Sequence, residues 1–231
     1  MKSILEKNLE KIKVLFVMKP TQLKYRGYSL KNAPTSTGRG DVVARFVVST
    51  LKEPRGLNPD LGVLIFLNDE FRNELHPDPE KKSPEKAVLI TSRANFFDST
   101  KDSAKINQYS VLKAFYDSVE KQLIEGQHNY DLSLFTAISS ADLRNLTELL
   151  EKKYFKIFLL YEDAKNEAFN HQNEINRNNK LAFFIGDQIG YKPADLEHLK
   201  QHSLLVNLGS TPYLATSVVE MLKYLIYSHN N

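Results

Sequence analysis

The sequence predicts an α/β fold, a largely parallel sheet with helices on both faces. Three observations carry this. Short, almost wholly apolar runs of strand length recur, as V-L-F-V-M at 14–18, again at 62–67, and as F-K-I-F-L-L within 154–161. Between them lie segments with apolar residues at helical spacing, such as Val42, Val43, Phe46, Val47 and Leu51. The two kinds alternate, as βαβ units require.

In chain order, residues 1–12 read as a charged N-terminal extension with a helical turn or two, followed by a strand at 14–18. Residues 20–33 are polar, with Tyr25, Arg26, Gly27 and Tyr28 together, and read as a loop or irregular strand. A helix is expected over 41–51, a turn at 54–59 and a strand at 62–67. Residues 68–108 read as a hairpin- and loop-rich insertion, because Pro77, Pro79 and Pro84 interrupt a charged run and only 87–91 is strand-like. An amphipathic helix follows at 109–124, with Leu112, Phe115, Tyr116, Val119 and Leu123 on one side. A short strand at 134–138 leads to Ser139 and Asp142, whose spacing suits a helix start. Residues 164–180 are polar and asparagine-rich, which predicts a surface insertion or a frayed segment. No linker or repeat divides the chain, so a single domain spanning 1–231 is expected.

Composition limits the chemistry. Of 231 residues, 42% are hydrophobic and 10% aromatic, enough for a core and too many for wholesale disorder. The formal charge of +3 is only a weak hint of a polyanionic partner. The absence of cysteine excludes disulfides, zinc–thiolate sites, iron–sulfur clusters and cysteine nucleophiles, and suits a cytoplasmic location. No apolar run approaches the ~20 residues of a membrane span.

The chain is organised around its last fifty residues. Two apolar runs, 181–185 and 204–208, each break on glycine: Gly186-Asp187-Gln188-Ile189-Gly190 and Gly209-Ser210-Thr211-Pro212. Strand ends that open into glycine turns leave backbone N–H and C=O groups free, and a residue without Cβ lets a ligand approach the main chain. Ordinary tight connections would look the same. A helix is expected over 211–227.

A second segment, Pro34-Thr35-Ser36-Thr37-Gly38-Arg39-Gly40-Asp41, sets small and hydroxyl residues before a helix. By itself it reads as a capping loop, with Asp41 at or near the N-cap and Arg39 a solvated cation. It is not a phosphate loop, since no clean strand precedes it and no lysine follows.

The two glycine turns, F-I-G-D-Q-I-G and N-L-G-S-T-P-Y-L-A, resemble the C-terminal signature of SPOUT-class RNA methyltransferases. They are most similar to those of the archaeal tRNA pseudouridine-54 N1-methyltransferases. P-T-S-T-G-R-G-D-V-V-A-R resembles that family's N-terminal signature. The resemblance implies a C-terminal deep trefoil knot holding S-adenosylmethionine, a tRNA substrate and a homodimer. It makes Arg39 and Asp41 the candidates for holding the nucleotide and assisting proton removal from N1. It puts Leu160 or Tyr161 in the adenosine pocket, and Leu208, Gly209, Leu214 and Val218 around adenine. Gly186 and Gly190 form the first turn of the pocket, and Asp187 is either a turn former or a pocket residue. The family has a cysteine where this chain has Val218, and Ile106-Asn107-Gln108-Tyr109-Ser110 departs from its L-N-P-D-E stretch. The alternatives are a SPOUT enzyme for another uridine-type base of tRNA or rRNA, and a non-catalytic RNA-binding relative.

His198 and His202 lie four apart on a predicted helix, with no third metal ligand near them, and read as surface residues. Lys121, His128, Lys152, Lys153 and Lys156 form a candidate basic face for tRNA, although interspersed acids make a solvated surface the stronger expectation.

Overall fold

A computed structural model describes residues 4–24, 37–53, 56–68, 85–92, 106–125, 134–140 and 142–228. The expectations for Tyr25 to Tyr28, for Pro34 to Ser36 and for His128 lie outside these residues. In chain order the elements are α1 (Ile4–Leu9), β1 (Val14–Met18), α2 (Gly40–Leu51), β2 (Lys52–Glu53), β3 (Gly56–Leu57), β4 (Leu61–Phe66), β5 (Lys86–Ser92), α3 (Gln108–Glu125) and β6 (Leu134–Ser140). They continue with α4 (Leu143–Lys152), β7 (Phe155–Leu160), a 3-10 turn (Ala168–His171), β8 (Lys180–Ile185), α5 (Pro193–His202), β9 (Leu204–Val206) and α6 (Ala215–Ser228). Among the described helices none is long and apolar enough to cross a membrane.

Seven of these strands form one sheet in the order β6-β5-β4-β1-β8-β7-β9. The five from β4 to β9 run parallel. β5 pairs antiparallel with β4, and β6 with β5, which finishes one edge. β5 is the strand expected at 87–91, while most of the insertion expected at 68–108 lies outside the described residues. The sheet is therefore mixed and mostly parallel. All five residues of β1 are buried, as befits a strand covered on both faces. Its side chains alternate. Val14, Phe16 and Met18 enter one core with α2, α3 and α6, and Leu15 and Val17 enter the other with α1, α4 and α5.

Register aligns the aromatic residues of the first core. Phe16 of β1 lies opposite Phe183 of β8, which lies opposite Phe158 of β7. The rings stack at 5.4 and 5.3 Å, and Phe46 of α2 meets Phe16 edge-on at 6.5 Å. Each such ring contributes about 1.5–3 kcal/mol by leaving water, and the three-strand stack fixes β8 between β1 and β7.

Several local expectations are corrected. Ser139 belongs to β6, and α4 is capped by Asp142, whose carboxylate accepts the Asn145 N–H at 2.7 Å. Residues 164–180 are not frayed. Ala168 and Ile175 are fully buried, and the segment bonds to Asn207 through Asn166 O and the Ala168 N–H. Two of its asparagines, Asn176 and Asn179, bond the segment's own backbone at the Asn173 and Glu174 carbonyls, which helps order a polar run. Finally, α6 starts at Ala215 rather than Thr211, which leaves Thr211 to Leu214 outside the helix.

Candidate functional site

Because β1, β8, β7 and β9 are parallel, their C-terminal ends share one edge of the sheet. Ligands of open parallel sheets bind at that edge. Here it holds a cavity of about 610 Å³, within the ~300–1,000 Å³ of small-molecule sites. Nine of the eleven candidate residues are the expected donor contacts, and all nine line it. Leu160 and Tyr161 come from the end of β7, and Gly186, Asp187 and Gly190 from the turn after β8. Leu208 and Gly209 follow β9, Leu214 stands just before α6, and Val218 lies in its first turn.

The first turn is built by Asp187. Its Oδ2 accepts the Thr21 N–H and hydroxyl, both at 2.7 Å, and its Oδ1 accepts the Ile189 and Gly190 N–H at 3.0 and 3.1 Å. Both readings of Asp187 hold together, since it shapes the turn and also borders the cavity. Gly190 and Gly209 have φ of +80° and +109°, and a Cβ built on either would meet nothing within 4 Å. Glycine there satisfies the backbone and leaves the main chain open to a ligand. The second turn is pinned by Asn207, whose Oδ1 accepts the Gly209 N–H at 3.0 Å and whose Nδ2 donates to Ala164 O at 2.6 Å. Among the described residues no cluster of three metal-ligating side chains occurs.

The N-terminal signature reaches this edge from α2. Gly38 has φ +58°, and a Cβ there would lie 1.7 Å from Gln22 O, so only glycine fits. Arg39 follows at φ +69° and is the N-cap residue, without a side-chain cap bond. The Thr37 hydroxyl instead accepts the Gly40 N–H at 2.8 Å. Asp41 is thus inside the first turn of the helix rather than its cap. Arg39 lines the cavity, and its Nη1 donates to Gln188 Oε1 at 3.2 Å, joining the two sequence signatures.

Asp41 is not among the lining residues. It is 8% exposed, and stands behind two guanidiniums, with Arg45 Nη2 at 2.6 Å from Oδ2 and Arg39 Nε at 3.4 Å from Oδ1. Arg45 does line the cavity. Its i,i+4 spacing from Asp41 was a legible signal, and Gln188 and Asn207 stand within the two glycine-turn motifs, whereas nothing local pointed to Thr21.

Away from the cavity, His198 is half-buried. Its Nε2 lies 2.8 Å from the Thr147 hydroxyl, and its ring packs on His202 at 4.4 Å. Burial, then the nearby His202, lower its pKa from the ordinary 6.5. It is a packing residue, not the exposed one expected. Lys153, from the expected basic face, is paired with Glu6 and Glu10 at 3.3 and 2.8 Å.

No family model matches the chain. In sequence it is 24% identical over 199 residues to a tRNA (pseudouridine(54)-N(1))-methyltransferase of Pyrococcus abyssi, covering 83% of this chain and 86% of that protein. In structure it matches Archaeoglobus fulgidus Nep1, crystallised with S-adenosylhomocysteine. The TM-score is 0.55 at 14% identity, over 94% of this chain and 100% of that one. The chain is thus similar in sequence to a tRNA pseudouridine methyltransferase and shares the fold of Nep1.

Proposed function

We propose that this protein is an S-adenosylmethionine-dependent RNA methyltransferase that methylates N1 of pseudouridine at position 54 in the T-loop of tRNA. The observation that carries this is the convergence of both glycine turns and Arg39 on one cavity. The cavity fits the donor. Its open glycine backbone and apolar Leu160, Leu208, Leu214 and Val218 suit an adenosine, and Glu162 and Asp163 beside β7 suit a cation. When bound, S-adenosylmethionine supplies a methyl group already activated by its sulfonium, so no metal is needed.

The residues of the chain then have three tasks. The turns and the wall of α6 orient the donor and exclude water, since positioning carries much of the rate. Arg39 stabilises negative charge on the ring oxygens as the N1 proton leaves. Asp41 accepts that proton through an intervening water, because its carboxylate stands behind the guanidiniums. The target base is flipped out of the tRNA loop to reach the cavity. The knot, the homodimer and the cytoplasmic setting belong to the same reading. The strand order β8-β7-β9, which carries the chain past β7 after α5, is consistent with the knot.

Mass spectrometry of unmodified and pseudouridine-54 tRNA, incubated with protein and donor, tests the proposal. A methyl mark on pseudouridine 54 is expected. Methylation elsewhere, or none despite donor binding, refutes the assigned reaction.

A further inference from the structure

The cavity is polarised. Glu162 and Asp163 enter it from the end of β7, and Arg39 and Arg45 enter it from α2. The β8 turn, Gly186 to Gly190, separates the two, because β8 lies between β7 and β1 in the sheet. An acidic end suits the cationic donor, while the arginine end is the approach a polyanion would favour.

The two arginines are not equivalent. Arg39 is held at Nη1 by Gln188, beside the first glycine turn. Arg45 lies further along α2. Its Nη2 is 2.6 Å from Asp41 Oδ2, its Nε donates to Asp41 O at 3.4 Å, and its Nη1 has no partner among the described residues. A guanidinium clamped on one side by a buried carboxylate, with an N–H edge left over and its side chain 37% exposed, is preorganised for an anion. The other cavity charges are Glu162 and Asp163 beyond the β8 turn, and Asp187, whose oxygens are taken by Thr21, Ile189 and Gly190.

We propose that Arg45 grips a backbone phosphate next to the flipped nucleotide, with Asp41 as the positioning residue that aims it. This rests on the RNA-methyltransferase reading and adds a residue and a ligand group to it. The carboxylate of the donor's methionyl end is the other anion that could reach a guanidinium, and the test separates the two.

The experiment compares wild type, Arg45→Met and Asp41→Asn, all checked for folding by thermal melts. Affinity for tRNA is measured across salt concentrations, donor affinity by calorimetry, and methyl transfer by steady-state kinetics. For Arg45→Met the expected result is a tRNA affinity about tenfold weaker and a log–log salt slope smaller by about 1. Donor affinity should be unaltered, and the kinetic loss should fall on KM more than on kcat. Arg45→Lys should restore the salt slope but only part of the affinity. Asp41→Asn removes a negative charge, so a purely electrostatic view expects tighter tRNA binding; the positioning role expects weaker. An unchanged slope in Arg45→Met, a loss confined to donor binding, or tighter binding by Asp41→Asn overturns the inference. The affinity and salt-slope readouts are independent of turnover: a wild type that binds tRNA but transfers no methyl sinks the proposed reaction, while the slope comparison still decides Arg45.

Discussion

Lys223→Met should destabilise the protein by about 3 kcal/mol although it lies far along α6 from the turns. Lys223 has 8% of its side chain exposed. Its Nζ donates to Ser49 O at 2.8 Å and Lys52 O at 3.0 Å, where α2 ends, and stands 3.4 Å from Glu53 Oε1. That carboxylate oxygen is buried, with no hydrogen-bond partner among the described residues. Methionine keeps the apolar stem and removes the ammonium. Two carbonyls then lose a charged donor, each costing about 1 kcal/mol where water partly reaches them. The negative end of α2 loses its cation, about 0.3–1 kcal/mol. The Glu53 oxygen loses its compensating charge, about 1 kcal/mol more. At about 2–4 °C per kcal/mol for a chain of this size, the melting temperature should fall by about 6–12 °C. Urea titration and thermal melts by circular dichroism read both quantities. Lys13→Met is the control, because the Lys13–Asp60 pair at 2.9 Å is 56% and 43% exposed and should matter by less than about 1 kcal/mol. A loss below about 1 kcal/mol for Lys223→Met, or equal losses for the two variants, would refute the reasoning.

Asp187→Asn should weaken S-adenosylmethionine binding by about 10–100-fold in calorimetry. An amide has one acceptor oxygen for the four donors that the carboxylate now serves, and each orphaned N–H costs about 1–3 kcal/mol; unchanged affinity would show that the turn does not shape the pocket. His198 supplies a pH dependence. Its pKa is held below 6.5 by burial and then by His202, so the unfolded chain takes up a proton more readily than the folded one. Its contribution is intact above about pH 6.5 and is lost as pH falls from there toward the lowered folded value. Between about pH 6.5 and 5, His198→Gln should therefore lose less stability than wild type; parallel curves in urea titration would dismiss the assignment.

The sequence by itself determined the fold class and the two glycine turns, and the family resemblance, rather than periodicity, named the nine residues that line the cavity. These signals are local. Periodicity, apolar run length and glycine at a strand end belong to a few consecutive residues, and the backbone obeys them wherever the segment lies. Even Asp41–Arg45 was within reach, as one helical turn. Local patterns erred where a polar composition concealed order. Asn176 and Asn179 bond the backbone of 164–180 while Ala168 and Ile175 are buried, which no hydropathy pattern announces. Only the tertiary structure decided that Arg39 meets Gln188, 149 residues away, that Thr21 completes Asp187, and that Asp41 stands behind the cavity wall instead of facing it. Those outcomes follow from strand order. Parallel neighbours distant in the chain bring their C-terminal ends to one edge, and the packing of Phe16, Phe183 and Phe158 between them, rather than any short-range preference, fixes which loops meet there.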